Sequence, residues 1–173
     1  MEPKIIIAGT GRAGTSFLVR LLTRLGYDTG YTPDREDFHP TIRAGCEQFA
    51  GDWSRGWWEQ SPRIVKSPFL SITLPSIRVP IDHVICPVRD LDQVQQSREE
   101  NNLPWAVPPV EVLGKLVADC TLLGIPLTLM RFPDSVRDWG YCLLYLSEAF
   151  PELNSQPGRF EAAFRGLQPE AVS

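Results

Sequence analysis

A short β-branched run, Lys4-Ile5-Ile6-Ile7-Ala8, leads directly into Gly9-Thr10-Gly11-Arg12-Ala13-Gly14, and a helical pattern starts at once behind it. The apolar residues Phe17, Leu18, Leu21, Leu22 and Leu25 recur at the 3.6-residue period and fill one face. Gly26 stands where that helix should end. An unbroken apolar strand is buried on both faces, which places Lys4–Ala8 in a parallel sheet. Few architectures admit a strand, a tight glycine turn and a helix in so short a span. The unit makes an anion site, because turn N–H groups and the partial positive charge of a helix N-terminus converge on one point.

The rest of the chain extends this unit. Tyr27 to Gly56 is polar and aromatic, with one helix expected near Thr41–Ala50. Strands are then expected at Arg63–Lys66, at His83–Cys86 ending near Pro87, and at Leu127–Met130. Helices are expected over Leu91–Asn101, Val110–Leu123, Ser135–Ala149 and Arg159–Arg165, with a short helix or turn over Phe69–Ile77. Alternating strands and helices demand right-handed crossovers and a parallel sheet covered on both faces. The expected fold class is therefore α/β, with three layers around a short central parallel sheet. A length of 173 residues suits a single domain over 1–173. The 16 prolines exceed the usual ~5% of residues and fall singly between elements, as punctuation.

Charge and composition exclude several function classes. A formal charge of −4 and a pI near 5.2 argue against a broad basic face for nucleic acid. No apolar stretch approaches the ~20 residues of a membrane span, and the N-terminal residues lack a signal-peptide pattern. Cys46, Cys86, Cys120 and Cys142 are far apart, and His39 and His83 are the only histidines, so no metal site is expected. Buried thiols in a reducing, cytoplasmic compartment follow from that reading.

Three ligands suit the glycine turn. Gly9-x-Gly11-x-x-Gly14 matches a dinucleotide turn, with Asp28 near the spacing of a ribose-binding acid, yet Tyr27-Asp28-Thr29-Gly30 makes a poor second strand. Gly9 and Gly14 have the spacing of an ATP-using P-loop, with Ser16 at the magnesium-binding hydroxyl, but Thr15 occupies the lysine position. The third reading accounts for these departures. The segment Gly9-Thr10-Gly11-Arg12-Ala13-Gly14-Thr15-Ser16 resembles the 5′-phosphosulfate loop of sulfotransferases, in which a cation precedes the last glycine by two residues and hydroxyl residues follow it. Arg12, Thr15 and Ser16 hold those places.

A second segment adds to the resemblance. Arg89 follows an expected strand and Ser97 comes eight residues later, in Val88-Arg89-Asp90-Leu91-Asp92-Gln93-Val94-Gln95-Gln96-Ser97. This is similar to the 3′-phosphate motif of sulfotransferases. An arginine forks onto phosphate and a serine hydroxyl completes the grip. A surface Arg89–Asp90 turn opening an ordinary helix is the plainer alternative. Ile64-Val65-Lys66-Ser67-Pro68 resembles the family's strand ending in lysine, and Leu129–Val136 its late strand and helix.

The resemblance implies a P-loop NTPase-like domain that moves a sulfuryl group from 3′-phosphoadenosine 5′-phosphosulfate to a hydroxyl or amine of a small-molecule or glycan acceptor. It implies that Gly9, Gly11, Arg12, Ala13, Gly14, Thr15 and Ser16 hold the 5′-phosphosulfate, and that Arg89 and Ser97 hold the 3′-phosphate. Arg12 is the expected catalytic cation. Lys66 is either a second cation or an exposed strand-end lysine. The histidine many members carry after that lysine is replaced by Ser67 and Pro68, so the base falls among Glu47, Asp34, Glu36 and His39, with Glu47 favoured. Arg98 is expected to be a solvated helix residue and His83 a structural one. Trp53, Trp57 and Trp58 either stack on a ligand or cover a small core. A P-loop kinase and a catalytically silent nucleotide-binding module are the competing readings.

Overall fold

The computed structural model describes residues 2–33, 55–100 and 107–168. The expected helix over 41–50, and with it Asp34, Glu36, His39, Glu47 and Trp53, lies outside the described residues.

The chain forms β1 (Lys4–Ile7), α1 (Thr15–Arg24), α2 (Arg55–Gln60), β2 (Ile64–Lys66) and α3 (Leu70–Thr73), which runs into a 3₁₀ turn at Leu74–Ser76. There follow β3 (Ile81–Val88), α4 (Leu91–Glu100), α5 (Pro109–Leu123), β4 (Leu127–Arg131), α6 (Asp134–Arg137), α7 (Trp139–Ala149), a 3₁₀ turn (Pro151–Ser155) and α8 (Pro157–Arg165). The four strands make one parallel sheet in the order β2-β1-β3-β4. The chain leaves β1 for β2 on one side, then crosses to β3 on the other. That reversal makes the carboxyl ends of β1 and β3 the topological switch point of the sheet, the place where open α/β sheets bind ligands.

Successive residues of β1 feed opposite layers, which is why its run is apolar without alternation. Ile5 and Ile7 pack with Ile85 and Met130 against α1, α7 and α8. Ile6 and Ala8 pack with Val65, Val84 and Cys86 on the other face, under Leu70 of α3 and Leu116 and Cys120 of α5. Trp58 is buried in this second layer, edge-on to Trp57 at 4.9 Å, so the core-covering role applies to it. The helix α1 ends in a Schellman turn: Tyr27 N–H bonds to Leu22 O, Gly26 N–H to Thr23 O, and Gly26 sits at φ 89°.

Three elements differ from expectation, the first being α2, where no helix was expected. β3 does not end before Pro87 but continues through it to Val88. Val84 N–H and Val88 O bond toward β4, and Ile85 O bonds toward β1 by accepting from Ala8 N–H. By alternation Pro87 faces β1, beyond the last paired residue Ile7, where β1 has already turned into Gly9. The missing N–H therefore breaks no ladder bond, and proline is tolerated in a central strand. The expected helix Ser135–Ala149 is two helices. Asp138 is extended (φ −115°, ψ 109°), and its side chain caps α7 by accepting from Gly140 N–H (2.9 Å) and Tyr141 N–H (3.0 Å).

His83 is buried between β3 and α7. Its Nε2 lies 2.7 Å from Thr128 Oγ1, and the Thr128 hydroxyl donates to Glu148 Oε2. Desolvation holds the imidazole below its ordinary value of 6.5, against the pull of Glu148 and Asp82. The unfolded chain thus binds the proton more readily than the fold. Stability contributed by neutral His83 is present above the unfolded value and is lost as pH falls through the folded one. The urea midpoint is expected to drop between about pH 7.5 and about pH 5.5, and His83→Gln is expected to flatten that drop. An unchanged slope in the variant would remove His83 from the pH response.

Candidate anion-binding site

The segment between β1 and α1 has a backbone that few side chains permit. Gly9, Gly11 and Gly14 sit at φ 141°, 75° and 87°, and Arg12 joins them in the left-handed region at φ 57°. Gly14 is favoured by space as well as by conformation. A Cβ there would lie 3.1 Å from both Phe132 Cδ2 and Val136 Cγ1. Gly14 is also the N-cap of α1 and supplies no side-chain cap, and no acidic residue occupies the helix's first turn. The α1 N-terminus thus faces the loop with its partial positive charge unopposed by its own side chains.

Side chains from three distant elements fix the loop. Ser71 of α3, fully buried, accepts from Gly9 N–H and donates to Gly9 O, each at 2.8 Å. Arg98 of α4 donates through Nη2 to Thr10 O at 2.5 Å and through Nη1 to Val107 O at 2.8 Å. Arg89, at the end of β3, donates through Nη1 to Arg12 O at 3.3 Å. The N–H groups of Gly11 and Ala13 enter none of these bonds.

The expected cofactor residues converge. Arg12 Nε donates to Ser97 Oγ at 3.1 Å, so the cation of the first motif meets the hydroxyl of the second. Arg89 donates through Nε to Gln93 Oε1 at 3.2 Å and lies 5.3 Å over the Phe132 ring. Asp90 caps α4 by accepting from Gln93 N–H at 2.9 Å. The ion pairs among the described residues join Arg63 to Glu2 and Asp82, Lys115 to Asp119, Arg131 to Asp134 and Arg165 to Glu161. None involves Arg12 or Arg89. Lys66, at the end of β2, is 1% exposed and donates to Ser16 Oγ at 3.4 Å. It is therefore no exposed strand-end lysine, and it sits on the β2 side of the same loop. Thr15 and Ala13 are buried beneath the turn.

Several expectations need revision. Gly9 N–H serves Ser71, so Gly9 contributes conformation here and not an amide for a ligand. Arg98 is not solvated: it is 3% exposed, and burial pushes its guanidinium below the ordinary value. Asp28, the acid of the dinucleotide reading, binds Arg63 N–H at 2.9 Å through Oδ2, and its carbonyl accepts from Ile64 N–H. That location is the amino end of β2, at the opposite end of the sheet from the glycine turn. Glu47 lies outside the described residues. Ser71, Arg98 and Phe132 escaped the sequence reading because their partners in the loop are far away along the chain. The one local signal was the adjacency of Arg98 to Ser97.

Beside Arg89, outside the carboxyl ends of β3 and β4, lies an open depression of about 800 Å³ whose walls include Arg131, Phe132, Tyr141 and Tyr145. Among the described residues no group of His, Cys, Asp and Glu is arranged to hold a metal ion, and no helix is long and apolar enough to cross a membrane. Compared with known proteins, the chain matches no family model, no curated protein and no solved structure.

Removing the Ser71 hydroxyl leaves two buried backbone groups of Gly9 without that partner, each worth roughly 1–3 kcal/mol. Ser71→Ala is expected to lower the urea midpoint by a corresponding amount with an unchanged m-value. A midpoint equal to that of the parent protein would contradict the loop restraint described above.

Proposed function

We propose that the chain is a P-loop-type sulfotransferase that binds 3′-phosphoadenosine 5′-phosphosulfate and moves its sulfuryl group to a hydroxyl or amine acceptor. The observation that carries this reading is the meeting of two motifs remote in sequence. Arg12 bonds to Ser97 across 85 residues, and Arg89 bonds to the Arg12 carbonyl across 77. Both lie at the switch point between β1 and β3, where strand order alone leads one to look for a ligand. Two arginines with no carboxylate partner among the described residues suit a ligand with anionic groups at both ends, and ATP has no 3′-phosphate to use the second.

In this reading Gly11, Ala13, Thr15 and Ser16 hold the 5′-phosphosulfate through N–H and hydroxyl donors, assisted by the α1 N-terminus. Arg89 and Ser97 grip the 3′-phosphate. The acceptor oxygen or nitrogen attacks sulfur in line. The bond from sulfur to the bridging oxygen breaks with its electron pair left on the 5′-phosphate, the acceptor proton passes to a base, and adenosine 3′,5′-bisphosphate leaves. Arg12 neutralises the charge that grows on the bridging oxygen, and Lys66, held at Ser16, adds a second cation. Glu47 takes the role of base. The acceptor is a small molecule or a glycan, no metal is required, and the cytoplasm is the proposed location.

Calorimetry tests the reading. Adenosine 3′,5′-bisphosphate is expected to bind more tightly than ATP with magnesium. Arg89→Ala is expected to weaken the bisphosphate by tenfold or more, on the order of one charged hydrogen bond, beyond a smaller loss for adenosine 5′-monophosphate that follows from releasing the Arg12 carbonyl. Tighter binding of ATP, or equal losses for both adenosine nucleotides, would overturn it. Bisphosphate binding without sulfuryl transfer to any of a panel of acceptors would mark a silent binding module.

A further inference from the structure

Arg98 has no part in the donor contacts above, yet it is buried directly behind the anion loop. Placing a guanidinium in the interior is costly unless its donors are met. Its two described bonds go to backbone carbonyls, Thr10 in the loop and Val107 just before α5. We propose that Arg98 is a positioning residue: by holding the Thr10 carbonyl on the α4 side, it turns the Gly11 N–H toward the bound 5′-phosphosulfate.

Peptide planarity fixes the directions of these groups. In a trans peptide the N–H points opposite to the C=O. Arg98 draws the carbonyl of the Thr10–Gly11 unit toward α4, and Arg89 draws that of the Arg12–Ala13 unit toward the end of β3. The Gly11 and Ala13 N–H groups are thereby turned away from those arginines, toward the side of β1 on which Lys66 meets Ser16. Across positions 12 to 14 the backbone alternates in hand, with Arg12 (φ 57°) and Gly14 (φ 87°) at positive φ and Ala13 between them at negative φ, and such alternation makes a concave anion nest. A lysine at position 98 keeps the charge but has no planar fork with which to span two carbonyls.

This inference rests on the donor-binding reading, so its test separates the two. In the ligand-free protein, Arg98→Lys is expected to displace the Gly11 amide resonance and leave that of Gly26, at the far end of α1, unmoved. In calorimetry the same variant is expected to weaken adenosine 5′-monophosphate and adenosine 3′,5′-bisphosphate by one common factor, on the order of tenfold, so that the gain from the 3′-phosphate is preserved. Arg98→Ala is expected to recover affinity for the monophosphate when methylguanidinium is added, a response that general loosening of the fold would not give. An unmoved Gly11 amide overturns the inference whatever the nucleotides do. Loss confined to the 3′-phosphate, or no rescue by methylguanidinium, overturns it as well. A displaced Gly11 amide in a parent protein that binds neither nucleotide overturns the donor reading and leaves the carbonyl clamp standing.

Discussion

The Ser71 hydroxyl, with no exposure to solvent, makes both a donor and an acceptor bond to Gly9, and the conformation of the anion loop starts from that contact. A glycine at φ 141° has many other states open to it in the unfolded chain. Tying both of its polar groups to one side chain selects the state that lets β1 stop abruptly. Because β1 stops there, Pro87 of β3 meets no partner on the β1 side while it stays paired with Met130 of β4, and Arg89 follows at the strand's end. The loop, the central strand and Arg89 thus share one local restraint.

Electrostatics follows from topology. Four parallel strands aim their carboxyl ends at one edge, and the reversal between β2 and β3 puts the switch point there. To that point come the α1 N-terminus, Arg12, Arg89 and Lys66, while none of the ion pairs seen reaches Arg12 or Arg89. An overall charge of −4 therefore coexists with a concentrated positive site. Cations held at one half-buried site interact with an anion far more strongly than the same charges spread over the surface.

What was legible in the sequence was what is local. The unit β1–loop–α1 declares itself through an apolar run, three glycines and a helical period, all within neighbouring residues. The spacing of Arg89 and Ser97 is likewise short-range, set by one helix that Asp90 caps. Asp138 was a readable signal that went unused: a helix-capping aspartate inside an apolar pattern, where the chain breaks into two helices. Arg98 and Ser71 were beyond reach in principle. A charged helix residue reads as solvated, and a serine in Phe69–Ile77 reads as neutral, until partners 88 and 62 residues away are brought against them. Pro87 shows the same limit in reverse, since its tolerance depends on where a different strand ends.

The central claim is that one ligand engages both halves of the site at once. Titration of the protein with adenosine 3′,5′-bisphosphate, followed at backbone amides and arginine Nε protons, tests it most directly. The account predicts that the amides of Gly11, Ala13, Thr15 and Ser16 and the Nε of Arg89 shift together along a single binding curve, while the Gly9 amide, committed to Ser71, moves least in the loop. Shifts confined to one half, or centred away from the β1–β3 switch point, would contradict it.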